Sequence, residues 1–173
     1  MKSILIFVST SLIAFNLQAQ SGIGKEAAGV NTETQKIISF FQNLDKNHMN
    51  LVEQFYDREV EFQDPVHTLH GSKATREYYA KLYDKVESIR FEFSREISQE
   101  HQHVVVWKMF LIAPSLNGGR EFFVEGNSVI LFGGSEGKVI YHRDYFDMGS
   151  FIYERIPLLK TIILMLKSKL AGN

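Results

Sequence analysis

The chain has no cysteine, so no disulfide framework can hold it together and no lipid can be attached through a processed cysteine. It has no block of basic residues, and its formal net charge is only −1, which leaves nothing to neutralise a nucleic-acid backbone. No H-E-x-x-H motif accompanies its histidines. A Gly-rich nucleotide loop and a D-F-G motif are also missing, so the His-Arg-Asp at 142–144 is not a kinase catalytic loop. No repeat or low-complexity tract interrupts the chain. What remains is a sequence that must fold on its core. With 14 Phe and seven Tyr among 173 residues, it has aromatic surface enough to fill that core and line a cavity as well.

The first residues read as an address rather than as fold. Lys2, the apolar run 4–15 softened by Ser9, Thr10 and Ser11, and then Leu17-Gln18-Ala19 have the order of a secretory signal peptide, residues 1–19. The run falls short of the ~18–20 residues that cross a bilayer. Cutting after Ala19 removes Lys2, takes the net charge from −1 to −2 and leaves one domain's worth of chain, expected in the periplasm or outside the cell. Residues 20–31, small and Gly-rich, read as a flexible leader.

From Thr32 the apolar period is helical. Thr32 and Gln35 form a capping box, and Ile37, Ile38, Phe40, Phe41 and Leu44 recur on one face. A short second helix is expected over 50–56. The period then falls to two through Val60 and Phe62, breaks at Asp64-Pro65, and resumes over 66–69 until Gly71. Ser72 is the expected N-cap of a third helix running to Val86, with Tyr78, Tyr79, Leu82 and Tyr83 on its buried side. Four strand-like runs follow, around 89–93 and over 104–112, 122–132 and 138–146, joined by Gly-rich turns at 113–120 and 133–137. Helices followed by a meander argue an α+β fold with the helices against one face of a curved antiparallel sheet. The expected organisation is a domain over 32–150 and a C-terminal helical extension over 151–173, broken at Pro157.

Four stretches in this order, FYDREVEFQDPV (55–66), LHGSKATREYY (69–79), EGNSVILF (125–132) and EGKVIYHRDYFD (136–147), resemble the SnoaL-like branch of the nuclear transport factor 2-like superfamily. The resemblance covers most of 33–147. It implies a cone-shaped sheet closed by helices around a pocket, in a superfamily that holds ketosteroid isomerases, limonene-epoxide hydrolases, polyketide cyclases and domains without activity. Fold does not settle function, so the site has to be argued by itself.

By that resemblance Asp64, in Gln63-Asp64-Pro65 ahead of His70-Gly71, stands where the isomerases carry their general base. Its bland alternative is an Asp-Pro turn residue. The isomerase oxyanion hole is incomplete: its Tyr position falls on Phe40 and its Asp position on Ser128. Asp144, within Arg143-Asp144-Tyr145-Phe146-Asp147, matches a hydrolase carboxylate, but the companion Arg-x-Asp falls on Val106-Trp107-Lys108.

Alternation groups His142, Asp144 and Phe146 on one face and Tyr141, Arg143, Tyr145 and Asp147 on the other. The same rule groups Val106, Lys108 and Phe110, and groups Gly126 with Ser128. The expected cavity therefore holds Asp64, Asp144 and His142 as catalytic candidates, with Phe40, Phe62, Lys108, Phe110, Ser128 and Phe146 as ligand contacts. Lys108 and Asp144 would form an ion pair, and Arg143 with Asp147 a salt bridge on an outer face suited to a homodimer. His101 and His103 are expected in a solvent-exposed turn. No metal or organic cofactor is expected. The ligand would be a small apolar molecule. A non-catalytic binding or dimerisation module is the competing expectation. For the C-terminal helix a lid, a dimer contact and a membrane-surface helix compete, in that order.

Overall fold

The computed structural model describes residues 32–134 and 136–172; the expected signal peptide (1–19) and leader (20–31) lie outside the described residues. The first helical period becomes α1 (Thr32–Asn43), which buries Ile37, Phe40 and Phe41 on one side. The turn to α2 (Asn50–Phe55) is held by Asp45, whose Oδ1 accepts the amides of Asn47 at 2.7 Å and His48 at 3.0 Å. Then come β1 (Tyr56–Gln63), β2 (Thr68–His70) and α3 (Ser72–Tyr83). The meander is built of β3 (Ser88–Gln99), β4 (Gln102–Ile112), β5 (Phe122–Gly133) and β6 (Lys138–Phe146). A short helix α4 (Met148–Phe151), a 3-10 turn at Tyr153–Arg155 and α5 (Pro157–Leu170) follow.

The six strands form one sheet in the order β2-β1-β6-β5-β4-β3. Its meander is antiparallel, as expected, but β1 runs parallel to β6, so the sheet is mixed at that joint. Ser94 in β3 and Ile140 in β6 are extra residues relative to their partner strands. Such bulges bend a strand and increase its twist, which curls the sheet without closing it. The core sits inside the curl, where Ile37 and Phe41 of α1 and Tyr79 and Tyr83 of α3 meet Val105, Trp107 and Ile130 of the sheet.

Two glycines are needed for this shape. Gly71 has φ +86, which side-chain-bearing residues rarely adopt, and a Cβ there would lie 2.9 Å from the Arg58 carbonyl. It takes the N-cap place of α3, so Ser72 is the first helical residue and not the cap expected from sequence. Gly126 faces Trp107 across the β4–β5 ladder, and a Cβ there would stand 2.4 Å from the indole and 2.7 Å from the Tyr145 carbonyl. A flexible side chain could yield, but a strand carbonyl cannot. Gly126→Ala is therefore expected to cost about 1–3 kcal/mol, the range of an overpacked core, measured as the loss in urea unfolding free energy.

The sheet phase of β4 differs from the expectation. Val105, Trp107 and Leu111 are buried, whereas Val106, Lys108 and Phe110 point to the outer side. There the Lys108 ammonium pairs with Glu125 at 2.9 Å and lies over the Phe123 ring, while Phe110 packs on Phe123 beneath the Arg90 guanidinium. The connection between β3 and β4 differs too. It shrinks to Glu100 and His101, with Glu100 at φ +53, and the polar stretch on either side continues as paired strand.

The C-terminal extension starts its long helix at Pro157, the residue expected to break it. The ammonium of Lys167 pairs with Glu154 and lies 3.7 Å from Asp147, tying α5 to the end of the meander. Asp147 accepts the Gly149 amide at 2.7 Å as the N-cap of α4, in place of the expected bridge to Arg143. Arg143 instead lies over the Tyr145 ring, 4.8 Å from its centroid.

Candidate functional site

Strand alternation on β6 sends His142, Asp144 and Phe146 into the concave side, where β5 places Ser128 directly opposite Asp144. β1 runs beside β6 with Phe62 next to His142, and its end delivers Asp64 to the same region. α3 contributes Tyr78 and Tyr79 from above. These groups meet around a partly open cavity of about 70 Å³ whose wall includes Asp64, Asp144, Phe62, Tyr78, Trp107 and Phe146. Phe41 and Phe151 belong to the same wall. The two carboxylates also border an open outer hollow with Pro65 and Arg143, so they stand at the rim between the cavity and the surface.

Asp64 serves the turn and the cavity at once. Its Oδ1 accepts the amides of Val66 at 2.7 Å and His67 at 2.6 Å, closing the Asp-Pro turn. Its Oδ2 accepts the Tyr78 hydroxyl at 2.5 Å, and the side chain is only 3 % exposed. Burial first, and Asp64 second, push the Tyr78 phenol far above its ordinary pKa, so it remains a donor at any ordinary pH.

Asp144 ends a longer chain. Trp107 can only donate, and its indole N–H goes to Ser128 Oγ at 2.8 Å. That leaves the Ser128 proton for Asp144 Oδ1 at 2.5 Å. His142 Nε2 lies 2.9 Å from the same oxygen, and its Nδ1 lies 2.6 Å from the Tyr56 hydroxyl, which in turn touches Tyr79 at 3.1 Å. Burial drives the pKa values of both phenols well up, so both are kept as O–H groups. With His142 neutral, every donor in the chain then points the same way: Tyr79 to Tyr56, Tyr56 to His142, His142 to Asp144. Among the described residues no donor is recorded for Asp144 Oδ2, and it is the oxygen left for a bound molecule.

The site residues named from sequence thus divide. Asp64, Asp144, Phe62 and Phe146 are on the cavity wall. His142 and Ser128 are fully buried behind it and meet the wall through Asp144. Because its hydroxyl is spent on Asp144, Ser128 is not free to replace the missing oxyanion donor. Lys108 and Phe110 are on the opposite side of the sheet, and the expected Lys108–Asp144 pair does not form. Phe40 is also displaced: it stacks on Phe55 at 4.1 Å in the core, and its neighbour Phe41, about 100° further round the helix, faces the cavity.

Tyr78, Tyr79, Trp107, Met109 and Leu111 are wall residues that sequence reasoning did not place at the site. The signal for Tyr78 was its helical phase with Tyr79 and Leu82, which says buried but not toward what.

His103 corrects the expectation of a solvent-exposed pair. Fully buried, it holds Glu33 at 2.9 Å through Nε2 and Glu96 at 3.0 Å through Nδ1, and Thr34 adds a bond to Glu96. His101, which is exposed, reaches the other oxygen of Glu33 at 2.9 Å. Burial raises the Glu33 pKa, but the hydrogen bonds from His103 and His101 outweigh it and hold the carboxyl below its ordinary value of 4.5. Among the described residues, no group of three or more His, Asp or Glu side chains is arranged to hold a metal ion.

A curled six-stranded sheet wrapped on helices, with a polar rim and an aromatic hollow, defines an α+β cone domain of the nuclear transport factor 2-like class. The sequence matches the SnoaL-like domain family over residues 37–142, and the chain belongs to that family. Among solved structures it is similar to a nuclear transport factor 2-like protein of unknown function from Burkholderia pseudomallei K96243. That likeness has 16 % identity and a TM-score of 0.62, over 72 % of this chain and 97 % of the other. A candidate SnoaL-like polyketide cyclase from Shewanella denitrificans OS-217 is similar at 14 % identity and TM-score 0.61, covering 69 % and 93 %. A candidate isomerase of the SnoaL-like family from Agrobacterium tumefaciens C58 is similar at 18 % identity and TM-score 0.53, covering 67 % and 95 %. At such identities these likenesses establish the fold alone. No curated protein matches the sequence.

Proposed function

We propose that this chain is an exported, cofactor-independent acid–base enzyme, isomerase- or hydrolase-like, that acts on a small apolar or cyclic molecule held in the cone. One observation carries the reading: Asp64 and Asp144, remote in sequence, line the same partly open, largely aromatic cavity. Asp144 is the proposed base, with Oδ1 anchored by Ser128 and His142 and Oδ2 left to take a proton. The Tyr78 hydroxyl donates its one proton to Asp64 and so fixes that carboxylate at the cavity wall, as Ser128 fixes Asp144. Export is supported by the signal-peptide pattern of residues 1–19.

Small-ligand pockets usually run to ~300–1,000 Å³, so a cavity of about 70 Å³ takes a small molecule as it stands. A polycyclic substrate requires the wall to move, with Phe151 on its short helix as the first candidate. The turn that engages Asp64 favours a second reading, a ligand-binding or dimerising module without chemistry.

A thermal-shift screen of small enones, epoxides and aromatic alcohols on the wild type, Asp64→Asn and Asp144→Asn separates the two. Under the proposal a ligand raises the wild-type midpoint by a few degrees and shifts at least one variant measurably less, and it is turned over by the wild type. Equal shifts in all three proteins without turnover would establish the module instead.

A further inference from the structure

The C-terminal arm presents an apolar surface that the domain does not cover. Leu158 is 74 % exposed and Leu170 88 %, the most exposed large apolar side chains among the described residues, and Ile162, Met165 and Leu166 are about half exposed. At about 100° per residue, Leu158, Leu159, Ile162, Met165 and Leu166 share one arc of α5, while Lys160 and Lys167 lie on the opposite side. Lys169, in the last turn, projects within the arc between Leu158 and Ile162, and no acidic residue follows Glu154 in the chain.

Three occupants compete for that arc. A lid is the weaker fit, because the cavity wall takes Phe151 from the root of the arm and, among the described residues, nothing from α5. A second copy packed arc on arc would take Lys169 into the apolar seam with no acid in α5 to pair it. The third occupant is complementary in both respects.

We propose that α5 is an interfacial helix that lays its apolar arc into the surface of an anionic lipid bilayer, with Lys160 and Lys169 at the headgroups. A strongly apolar arc with lysines and no acids is the pattern of helices that lie in that plane. The helix cannot span: its 14 residues rise about 21 Å, short of a ~30 Å hydrocarbon layer. Consistently, no helix among the described residues is long and apolar enough to cross a membrane. The contacts of Lys167 with Glu154 and Asp147 tie the later turns of the helix back to the segment before it, and Phe151 in that segment is part of the cavity wall. Docking of α5 therefore brings the cavity's rim to the lipid surface.

The test is flotation of the full chain with phosphatidylcholine vesicles and with phosphatidylcholine–phosphatidylglycerol vesicles. The comparison proteins are Ile162→Glu/Leu166→Glu and Lys160→Gln/Lys169→Gln. The expected result is flotation of the wild type with the anionic vesicles, weakened by salt, and a partition reduced more than about tenfold by the glutamate pair. The glutamine pair should retain binding to neither vesicle better than the wild type, and lose most of its preference for anionic ones. Because α5 lies outside the core, both variants should keep the wild-type thermal midpoint. A wild type that stays with the soluble fraction overturns the proposal. So does equal flotation of the glutamate pair, which would locate binding in another segment. A dimer that the glutamate pair dissociates, without flotation, would assign the arc to a second copy and overturn it as well.

Discussion

Asp144→Asn is expected to lower kcat by on the order of 10²–10⁴-fold on whichever probe the wild type turns over, with little change in KM. The amide is nearly isosteric, and its carbonyl can still accept the Ser128 hydroxyl and the His142 N–H that now meet Oδ1. Its NH₂ group then occupies the place of Oδ2 and cannot take a proton. The fold should stay intact, because every buried partner keeps a bond, and the urea midpoint should move little. His142→Phe provides the graded comparison. It keeps a ring between Phe41 and Phe62 but removes the hydrogen bond to Asp144 and leaves the Tyr56 hydroxyl with Tyr79 alone. Its turnover should fall less than that of Asp144→Asn, since the base is still present but less well held. A wild-type kcat in Asp144→Asn would remove Asp144 from the chemistry and with it the proposed mechanism.

How far the site was legible depended on which strand carried marked residues. On β6, the resemblance put Asp144 at the site, and period-two alternation then carried His142 and Phe146 inward with it. Ser128 on β5 followed from its own alternation, and the register places it opposite Asp144. β4 reads VVVWKMFLI, in which both faces are apolar and no residue fixes the phase. Lys108 suggested an inward partner for Asp144, yet the strand is pinned by the fit of Trp107 against Gly126, a cross-strand contact that periodicity cannot see. Phe40 was misplaced for a related reason. Counting residues back from Asp64 fixes a position along α1 but not its rotation, and one residue of helix turns the side chain from the cavity into the core.

The architecture was more legible than the site because it rests on longer signals: helix, helix, strand, helix and four strands appear in the expected order and near their expected bounds, except that β3 runs on to Gln99. The parallel joint of β1 with β6 was not visible, since nothing local to either strand names its neighbour. The polar run SREISQEHQH looked like a connection because neither side of it is apolar. It forms strand because α1 lies across its end and supplies carboxylate and hydroxyl partners from Glu33 and Thr34. A buried histidine can satisfy a strand position in this way, but only if those partners arrive from elsewhere in the chain.

That arrangement makes His103→Leu the largest stability change expected. Leucine keeps much of the volume and lets neither ring nitrogen meet Glu33 or Glu96, so two half-covered carboxylates lose a shared partner. Breaking a fully buried pair costs ~3–5 kcal/mol; here Glu33 and Glu96 retain 18 % and 27 % exposure, so water recovers part of it. A loss of about 2–3 kcal/mol at neutral pH is the expected result from urea unfolding. The pH dependence should follow from the direction of the Glu33 shift. A carboxyl whose folded pKa lies below its ordinary 4.5 contributes stability that is complete above that value and is lost as pH falls through the folded pKa. In His103→Leu the hydrogen bonds that depress it are reduced to the one from exposed His101, so that acid-labile contribution shrinks. The gap between wild type and variant should therefore be widest above pH 4.5 and narrow on acidification as Glu33 takes up its proton. A gap that is constant from neutral pH down to pH 3 would mean that His103 contributes packing alone, and that α1 is held to the β3–β4 hairpin by its apolar face rather than by this clamp.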